Sequence, residues 1–301
     1  MNVFVTGASG YIGGTVAAKL IAAGHNVIGL ARDEARAAEL RERGIEPLVG
    51  TLNDLEALEE GARTADAVIN AADADNPFAA RAMLNALRGS GKRYIQTSGT
   101  TVVADNAQGE GGGQLFTEDT PHDALPEKAG RIATDRMVCE AANDGVLSAV
   151  ICPCLIYGEG LGLRTHSPQI PAFIGLAKSS GVPRHIGAGE NIWSNIHVQD
   201  CADAYLLALE KAPPGSFFYV ENGEETMIDL ARAIGRMLGM GEATEAWPMV
   251  EAVRTWGPPM ALAMSSNVRV CADKARAILG WSPQGVALLD DVENGSYRIY
   301  R

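Results

Sequence analysis

A glycine-rich turn near the start of the chain constrains the fold more than any other feature. Residues 6–13 (TGASGYIG) directly follow a short β-branched run and directly precede a stretch with helical spacing. Gly7 permits a sharp turn, Gly10 permits close approach of a ligand to the main chain, and Gly13 permits helix and strand to pack closely. The N–H groups at the start of such a helix attract phosphate. The turn therefore predicts a strand–turn–helix unit that binds the pyrophosphate of a dinucleotide.

Short apolar runs alternate with helical stretches along the first half of the chain. The predicted strands cover residues 2–6, 27–30, 46–49, 67–71, 94–97 and 148–151. The predicted helices cover residues 11–23, 33–43, 54–60, 77–89 and 129–142. This alternation is typical of βαβ units, whose parallel strands carry helices on both faces. The sequence therefore predicts an α/β fold with a Rossmann-type doubly wound parallel sheet.

The second half of the chain alternates less regularly and predicts a smaller, mixed, substrate-binding portion. We expect a dinucleotide-binding domain over residues 1–158, to which residues 192–212 return, and the substrate-binding portion over most of residues 159–301. A helix is predicted over residues 228–238. The polar residues 105–126, which include three consecutive glycines, predict a structureless segment that serves as a flexible insertion or as a lid over the substrate.

Charge and composition exclude several kinds of partner. The 301 residues include 37 acidic and 25 basic side chains, which gives a net charge of -12. Nucleic acids and anionic membranes are bound mainly through Lys and Arg, so neither is expected as a partner. No apolar run reaches the roughly 20 residues of a membrane span, and no secretory signal pattern opens the chain. We therefore expect a cytoplasmic protein that acts on a small molecule.

The end of the second predicted strand favours NADP over NAD. An NAD site places an acidic residue there, but Ala31 occupies that position and Arg32 follows it. An arginine suits the 2′-phosphate of NADP, so NADP is predicted and NAD is the alternative. The alternative that Arg32 is an ordinary solvated side chain also remains open. Asp33 is predicted to cap the next helix rather than to bind a ribose.

Six segments spread over the chain together resemble the extended, epimerase-like branch of the short-chain dehydrogenase/reductase superfamily. They are residues 6–13 (TGASGYIG), 50–54 (GTLND), 70–72 (NAA), 152–160 (CPCLIYGEG), 195–202 (NIHVQDCA) and 273–283 (DKARAILGWSP). The resemblance implies a nicotinamide cofactor and makes a homodimer through helices 77–89 and 129–142 plausible. Together with the glycine turn, it implies a cofactor site at Gly7, Ser9, Gly10, Tyr11, Ile12, Gly13, Arg32, Leu52, Ala71, Ala72 and Pro153.

The catalytic residues of that family do not match this sequence. The family uses a Tyr-x-x-x-Lys pair on one helix and a serine or threonine after the fifth strand. No tyrosine of this chain has a lysine four residues later. Ile132 takes the tyrosine position, Arg136 takes the lysine position and Gly99 takes the serine position. The resemblance therefore carries over the fold and the cofactor site, and it predicts an atypical member with a non-standard catalytic site.

Three hydroxyl groups near the strand ends are candidates for the missing chemistry. Ser98 and Thr100 flank the vacant serine position, and Tyr157 lies on the loop after the sixth strand. Each has a structural alternative, because Ser98 and Thr100 can hydrogen-bond within their turn and Tyr157 can pack under its loop. We hypothesise an NADP-dependent oxidoreductase of a small carbonyl or alcohol. The alternatives are an inactive NADP(H)-binding sensor and an isomerase that resembles sugar-nucleotide epimerases and dehydratases.

Four other side chains carry weaker hypotheses. Arg136 is expected either to hold the ribose or a substrate carboxylate or to pair with Glu140, four residues later. His197 is interpreted as a packed structural histidine. Cys152 and Cys154 flank a proline and are interpreted as small buried residues rather than a redox pair, because no helix N-terminus is predicted there to lower a thiol pKa. No cysteine or histidine has the spacing of a zinc ligand, so no metal site is predicted.

Overall fold

The computed structural model describes residues 1–121 and 125–301, in which strands and helices alternate. The strands in this part of the chain are β1 (Asn2–Thr6), β2 (Asn26–Ala31), β3 (Glu46–Val49), β4 (Ala67–Asn70), β5 (Arg93–Thr97), β6 (Leu115–Phe116), β7 (Leu147–Pro153), β8 (Leu155–Tyr157), β9 (Arg184–Ile186), β10 (Ile192–His197), β11 (Ser216–Val220), β12 (Glu224–Thr226), β13 (Glu245–Trp247) and β14 (Arg269–Val270). The helices are α1 (Tyr11–Ala22), α2 (Glu34–Arg41), α3 (Leu55–Thr64), α4 (Pro77–Leu87), α5 (Ala129–Glu140), α6 (Gln169–Ser180), α7 (Val198–Lys211), α8 (Met227–Leu238), α9 (Met249–Trp256), α10 (Pro258–Met264), α11 (Asp273–Leu279) and α12 (Leu288–Asn294).

Seven of these strands form one parallel sheet in the order β11-β7-β5-β4-β1-β2-β3. The chain progresses in opposite directions on the two sides of the β1–β4 pair, which makes this pair the switch point outside which ligands bind. The predicted doubly wound sheet is confirmed, and all six predicted strands belong to it. The sequence analysis missed the edge strand β11, which pairs with β7.

The sheet is covered on both faces, which explains why its strands read as nearly continuous apolar runs. Val3 and Val5 of β1 face the core formed with α1, α2 and α7. Phe4, between them, faces a second core formed with α3, α4 and α5. The sheet therefore forms the middle layer of three, and its carboxyl edge is left for ligands.

The expected return of residues 192–212 to the first domain stays a prediction. Helix α7 packs against α1 and against β5 and β7 of the main sheet, whereas β10 belongs to a smaller sheet. The remaining strands form smaller sheets, ordered β12-β10-β8, β13-β9 and β14-β6. The domain boundary at residue 158 stays a prediction. Within residues 1–121 and 125–301, no helix is both long enough and apolar enough to cross a membrane.

Residues 105–121 form a strap along the substrate-binding portion that, apart from a two-residue strand, has no helix or strand, as predicted. Its role as a flexible insertion or as a lid stays a prediction. Its strand β6 pairs with β14. The N–H of Gly109 donates a 2.8 Å hydrogen bond to the carbonyl of Ser265. The carboxylate of Asp105 accepts two hydrogen bonds from Asn267, at 2.8 and 2.9 Å. Residues 122–124 of the predicted loop lie outside the described residues.

Candidate cofactor and substrate site

The glycine turn brings the end of β4 against the start of α1. Gly7 has a φ of +74°, and a Cβ there would lie 2.6 Å from the carbonyl oxygen of Ala71. A Cβ on Gly13 would lie 2.3 Å from the carbonyl oxygen of Gly7. Gly10 is the N-cap of α1 and provides no side chain to cap the helix. The first N–H groups of α1 are therefore suited to bind an anion such as the pyrophosphate of a dinucleotide.

A cleft of about 400 Å³ lies over the carboxyl ends of β1, β2 and β4. It contains three arginines and no acidic side chain. It is lined by Gly7, Ser9, Gly10, Leu30, Arg32, Arg36, Gly50, Thr51, Leu52, Ala71, Ala72 and Arg164. The cleft thus brings together seven of the eleven residues predicted to bind the cofactor. Its position over β1 and β2 suits the adenosine half of a dinucleotide, so we call it the adenosine cleft.

Arg32 and Arg36 reach the cleft from the two sides of the α2 N-cap. Asp33 caps α2, as predicted, because its carboxylate accepts a 2.7 Å hydrogen bond from the N–H of Arg36. The Arg32 side chain is 69% exposed and lies 3.6 Å from the Asp33 carboxylate. Arg36 pairs with Glu39 one turn later. The sequence analysis missed Arg36, although its spacing of four from Arg32 could have indicated a shared direction.

Arg164 is the third arginine and comes from the segment that follows β8. That segment lies against α1, since a Cβ on Gly162 would be 2.7 Å from the Cα of Gly14. Tyr11 also joins this segment to α1, because its hydroxyl donates a 2.6 Å hydrogen bond to the carbonyl of Gly158. No local pattern in the sequence could have indicated Arg164, since only this tertiary packing brings it to the cleft.

The four remaining residues predicted for the cofactor lie outside the lining of this cleft. The Tyr11 hydroxyl is hydrogen-bonded to the Gly158 carbonyl, and Gly13 packs against Gly7. Ile12 is half-buried against the core of α1, α2 and α7. Pro153 ends β7 opposite Val220 of β11, at the carboxyl edge of the other half of the sheet. Their contact with a cofactor stays a prediction.

The nicotinamide half of a dinucleotide extends in the other direction from the switch point, over β4, β5 and β7. Ser98 directly follows β5, and its hydroxyl donates a 2.6 Å hydrogen bond to Oδ2 of Asp135 on α5. Both residues are buried, and the second carboxylate oxygen of Asp135 has no hydrogen-bond partner. Burial raises the pKa of Asp135 to about 7, against the opposing effects of the Ser98 hydrogen bond and the Arg131 charge.

Arg131 occupies the space next to the vacant serine position. Its guanidinium donates two hydrogen bonds, at 2.8 and 2.5 Å, to the Asp75 carboxylate and one, at 3.1 Å, to the Thr101 hydroxyl. This pairing lowers the pKa of Asp75. A Cβ on Gly99 would lie 3.0 Å from the guanidinium. The sequence analysis missed Arg131 and Asp135, although two charges four residues apart on a predicted helix share one face.

Thr100 and Tyr157 carry the other two candidate hydroxyl groups, and these groups differ in their hydrogen bonds. Thr100 is 2% exposed, and its hydroxyl has no hydrogen-bond partner. Tyr157 is fully buried, and its hydroxyl donates a 2.7 Å hydrogen bond to the carbonyl of Val286. Burial raises the pKa of Tyr157. This geometry favours the packing alternative for Tyr157 over proton donation, because its proton is already engaged and its ring is closed off from solvent.

The predicted contact of Arg136 with the ribose or a substrate carboxylate stays a prediction, and its predicted pairing with Glu140 is not seen among the described residues. Arg136 is exposed on α5 and does not line the adenosine cleft. No ion pair joins it to Glu140 in the described part of the chain. Ile132, at the tyrosine position, is half-buried against the core.

The surroundings of His197 and of the two cysteines agree with their structural interpretations. His197 caps α7 by accepting a 3.3 Å hydrogen bond from the N–H of Gln199. Cys152 and Cys154 are buried, and burial raises the pKa of both thiols well above the usual value. Thiols of this kind are poor nucleophiles. Among the described residues, no group of three or more His, Cys, Asp or Glu side chains could hold a metal ion.

A second cleft, of about 430 Å³, lies between the turn that follows Ser98 and the strap. Its lining mixes apolar and polar groups, contains no Lys or Arg, and has Asp105 as its only charged side chain among the described residues. The lining residues are Val103, Ala104, Asp105, Gly113, Gln114, Phe116, Pro121, Leu125 and Asn267. Because Val103 and Ala104 belong to the turn that follows β5, this cleft is a candidate substrate chamber.

A doubly wound parallel sheet with a glycine turn at its switch point is typical of dinucleotide-binding proteins. Residues 3–220 match the model of the NAD dependent epimerase/dehydratase family. The chain therefore belongs to this family, and the resemblance inferred from its motifs is confirmed.

Named relatives and a solved structure agree with this assignment. The chain is 30% identical to the oxidase ucsJ of Acremonium sp., over 97% of this chain and 95% of that one. It is 29% identical to 4-hydroxy-2-methyl-3-oxo-4-farnesyl-3,4-dihydroquinoline-1-oxide ketoreductase of Stigmatella aurantiaca, over 74% of this chain and 69% of that one. The structure of dTDP-glucose 4,6-dehydratase from Bacillus anthracis in complex with NAD shares the fold, with a TM-score of 0.78 and 18% identity over 100% of this chain and 96% of that one. The prediction of an enzyme of the NAD(P)-dependent oxidoreductase type is confirmed at this family level.

Proposed function

We propose that the chain is an NADP-dependent reductase of small carbonyl compounds with a non-standard catalytic site. The observation that carries this proposal is the set of three arginines, Arg32, Arg36 and Arg164, around an adenosine cleft without acidic side chains. Guanidinium groups bind phosphate through strong charge-assisted hydrogen bonds. NADH lacks the 2′-phosphate, so it gains nothing from these arginines.

The remaining lining residues of the cleft fit the other parts of the cofactor. Main-chain groups of Gly7, Ser9 and Gly10 lie where a pyrophosphate meets the start of α1. Leu52, Ala71 and Ala72 provide apolar walls for the adenine and its ribose. A bound nicotinamide supplies hydride for reduction or accepts it for oxidation.

The described lining of the candidate substrate chamber favours an uncharged substrate over a sugar nucleotide. Among the described residues, this lining contains no Lys or Arg, and Asp105 is its only charged side chain. A nucleoside diphosphate needs cationic partners for its two phosphates. The epimerase-like or dehydratase-like isomerase is therefore the weaker alternative.

Binding and turnover measurements test the proposal. Calorimetry is expected to show NADPH binding at least tenfold tighter than NADH. The protein should then oxidise NADPH with at least one member of a panel of ketones and aldehydes that includes cyclohexanone, acetophenone and benzaldehyde. Equal or tighter binding of NADH would overturn the NADP assignment. Absence of turnover over the panel, with NADP+ and NADPH bound unequally, would favour the sensor, because a ligand shifts an equilibrium only through differential affinity.

A homodimer through α4 and α5 is part of the proposal. Phe78 on α4 is 68% exposed. A groove between the two helices is lined by Leu84 and Met137 together with Arg88 and Glu140. Light scattering on the purified protein is expected to give twice the mass of the chain. The variant Phe78→Asp should shift this mass toward the monomer, and a monomeric wild-type protein would contradict the dimer.

A further inference from the structure

Ser98 and Asp135 meet at the carboxyl end of β5, on the side of the switch point opposite the adenosine cleft. The Ser98 hydroxyl lies 2.6 Å from Oδ2 of Asp135. Ser98 is 5% exposed and Asp135 is 6% exposed. Oδ1 of Asp135 is buried without any hydrogen-bond partner. A buried carboxylate oxygen without a partner is costly, and a purely structural bond to Ser98 leaves this cost unexplained.

The neighbouring hydroxyl position of the family is closed in this chain. The guanidinium of Arg131 is fixed on Asp75 and lies 3.0 Å from where a Cβ on Gly99 would be. A serine side chain at residue 99 would therefore displace Arg131. Ser98 is the hydroxyl on this turn that is joined to a carboxylate, whereas the Thr101 hydroxyl accepts from Arg131. The neighbouring Gly99 is partly exposed, so Ser98 lies just below the surface.

We propose that Ser98 and Asp135 form a proton-transfer pair, in which Ser98 is the catalytic residue that contacts the substrate oxygen and Asp135 is the positioning residue that supplies its proton. This inference rests on the proposed reduction of a carbonyl compound. It assigns to a carboxyl–hydroxyl pair the proton transfer that the family performs with a tyrosine.

The proton balance of the step is simple. Hydride from the cofactor bonds to the carbonyl carbon, and the C=O π bond breaks toward oxygen. When Asp135 is protonated, it becomes the donor in its hydrogen bond to Ser98, so the Ser98 hydroxyl proton is free to face the substrate. The substrate oxygen takes the hydroxyl proton of Ser98, and Ser98 takes the proton of Asp135. The product is an alcohol, Ser98 is restored, and Asp135 is left as a carboxylate that regains its proton from solvent. Oxidation of an alcohol runs the same transfers in reverse.

The surroundings of Asp135 suit a group that must exist in both protonation states near neutral pH. Burial raises its pKa to about 7, the Ser98 hydrogen bond and the Arg131 charge lower it, and the Asp75 charge raises it. The titratable groups that face Asp135 from the elements around it are Arg131 and Cys139 on α5, Asp75 after β4, Cys152 on β7 and Tyr219 on β11. Arg131 is the only cation in this set of described residues, which leaves burial as the dominant effect.

The first test measures the proton of Asp135 directly. Carbon-13 NMR of aspartate-labelled protein, with and without NADPH, follows each carboxyl carbon against pH, and Asp135→Asn identifies the Asp135 signal by its loss. The expected midpoint lies near 7. Ser98→Ala is expected to raise it, because the hydrogen bond that stabilises the carboxylate is lost. A midpoint below 5 in the wild-type protein would overturn the proposal.

The second test measures turnover with the panel of ketones and aldehydes named above. Asp135→Asn keeps the size and the acceptor for Ser98 but removes the proton, so we expect kcat to fall about 100-fold or more, the typical contribution of general acid catalysis. Reduction needs the protonated form of Asp135, so wild-type kcat should fall as pH rises through about 7, and this fall should vanish in Asp135→Asn. Asp135→Glu should restore part of the rate. Glu60→Gln, the same substitution of an exposed carboxylate on α3, is the matched control and should retain the wild-type rate.

The two proposals fail in different ways. Wild-type kcat and pH dependence in Asp135→Asn would overturn the proton-transfer pair and leave the NADP-dependent reductase intact. Failure of the wild-type protein to bind NADPH would overturn the reductase itself, and calorimetry detects this without any turnover. NADPH affinity in Asp135→Asn is expected to stay within twofold of wild type, since Asp135 lies outside the lining of the adenosine cleft.

Discussion

The phenol of Tyr11, in the first turn of α1, donates a 2.6 Å hydrogen bond to the main-chain carbonyl of Gly158. The N–H of Gly158 donates in turn to the Tyr297 hydroxyl at 3.1 Å. These bonds join the glycine turn to the segment that carries Arg164 into the cleft. The two walls of the adenosine cleft are thus held together by a buried side chain rather than by the ligand.

Tyr11→Phe is expected to lower stability more than cofactor affinity. The substitution leaves the buried Gly158 carbonyl without its donor, which costs about 1–3 kcal/mol of the free energy of unfolding. The main-chain N–H of residue 11, which can face a phosphate, is unchanged. Urea unfolding and a fluorescence titration with NADPH measure the two effects. Tyr300→Phe, near the same aromatic cluster, is the control, and a large loss of NADPH affinity with unchanged stability would contradict the expectation.

Removal of the cleft arginines should change the choice of cofactor. Arg32→Ala and Arg164→Ala are each expected to raise the Kd for NADPH about tenfold, because a hydrogen bond to a charged group contributes about 1.5–3 kcal/mol. The Kd for NADH should change little. Arg41→Ala on α2 is the matched control, since Arg41 pairs with Glu34 and does not line the cleft. Equal losses for NADPH and NADH would show that these arginines act on the shared part of the cofactor.

The main sheet could be predicted from the sequence because its signals are local. Each predicted strand is an apolar run, and helix signals such as Asp33 as N-cap and Pro77 at the start of α4 lie within a few residues of what they specify. The edge strand β11 escaped prediction because it follows the less regular segment beyond residue 158. The packing of the strap was not predicted because Asp105 and Asn267, whose hydrogen bonds fix it, are 162 residues apart in the sequence.

The candidate site could be predicted in its main-chain part and in a few side chains such as Arg32 and Ser98. Glycine conformations at the turn are fixed by the fingerprint itself, whereas Arg164 and Asp135 reach the site through tertiary packing. The pairing of Ser98 with Asp135 requires α5 to lie against the end of β5. It also places a charged residue on a buried helix face, where an apolar residue is expected. The local pattern could therefore show that the usual catalyst is absent, but it could not show which groups lie in its place.

Asn267→Ala is expected to release the strap. The Asn267 side chain accepts a 2.8 Å hydrogen bond from the N–H of Ile192 and donates to Asp105 and to the Glu110 carbonyl. Loss of these bonds should lower the free energy of unfolding by about 3 kcal/mol, since each unpaired buried group costs about 1–3 kcal/mol. Limited proteolysis should then cut residues 105–121 faster. Gln114→Ala, at an exposed position of the strap, is the control, and equal cleavage rates in the two variants would contradict the role of Asn267.

The buried carboxyl of Asp135 should make stability depend on pH in a direction opposite to that of an ion-paired aspartate. Its pKa is 3.8 without the protein environment and about 7 in the folded state. Between these values the folded state binds more protons than the unfolded state, so the free energy of unfolding falls as pH rises from about 4 to about 7. The upper bound of this loss is about 4 kcal/mol, from about 1.4 kcal/mol for each unit between the two pKa values.

Asp135→Asn should remove this loss. The variant is therefore expected to gain stability relative to wild type between pH 5 and pH 8, with guanidinium unfolding at the two pH values as the measurement. The amide oxygen of asparagine can still accept the Ser98 hydrogen bond, so the gain is not masked by a broken contact. Glu60→Gln, the same kind of substitution at an exposed position on α3, is the control. If Asp135→Asn instead loses stability relative to wild type as pH rises, then Asp135 is stabilised as a carboxylate in the folded state, and it cannot carry a proton at neutral pH.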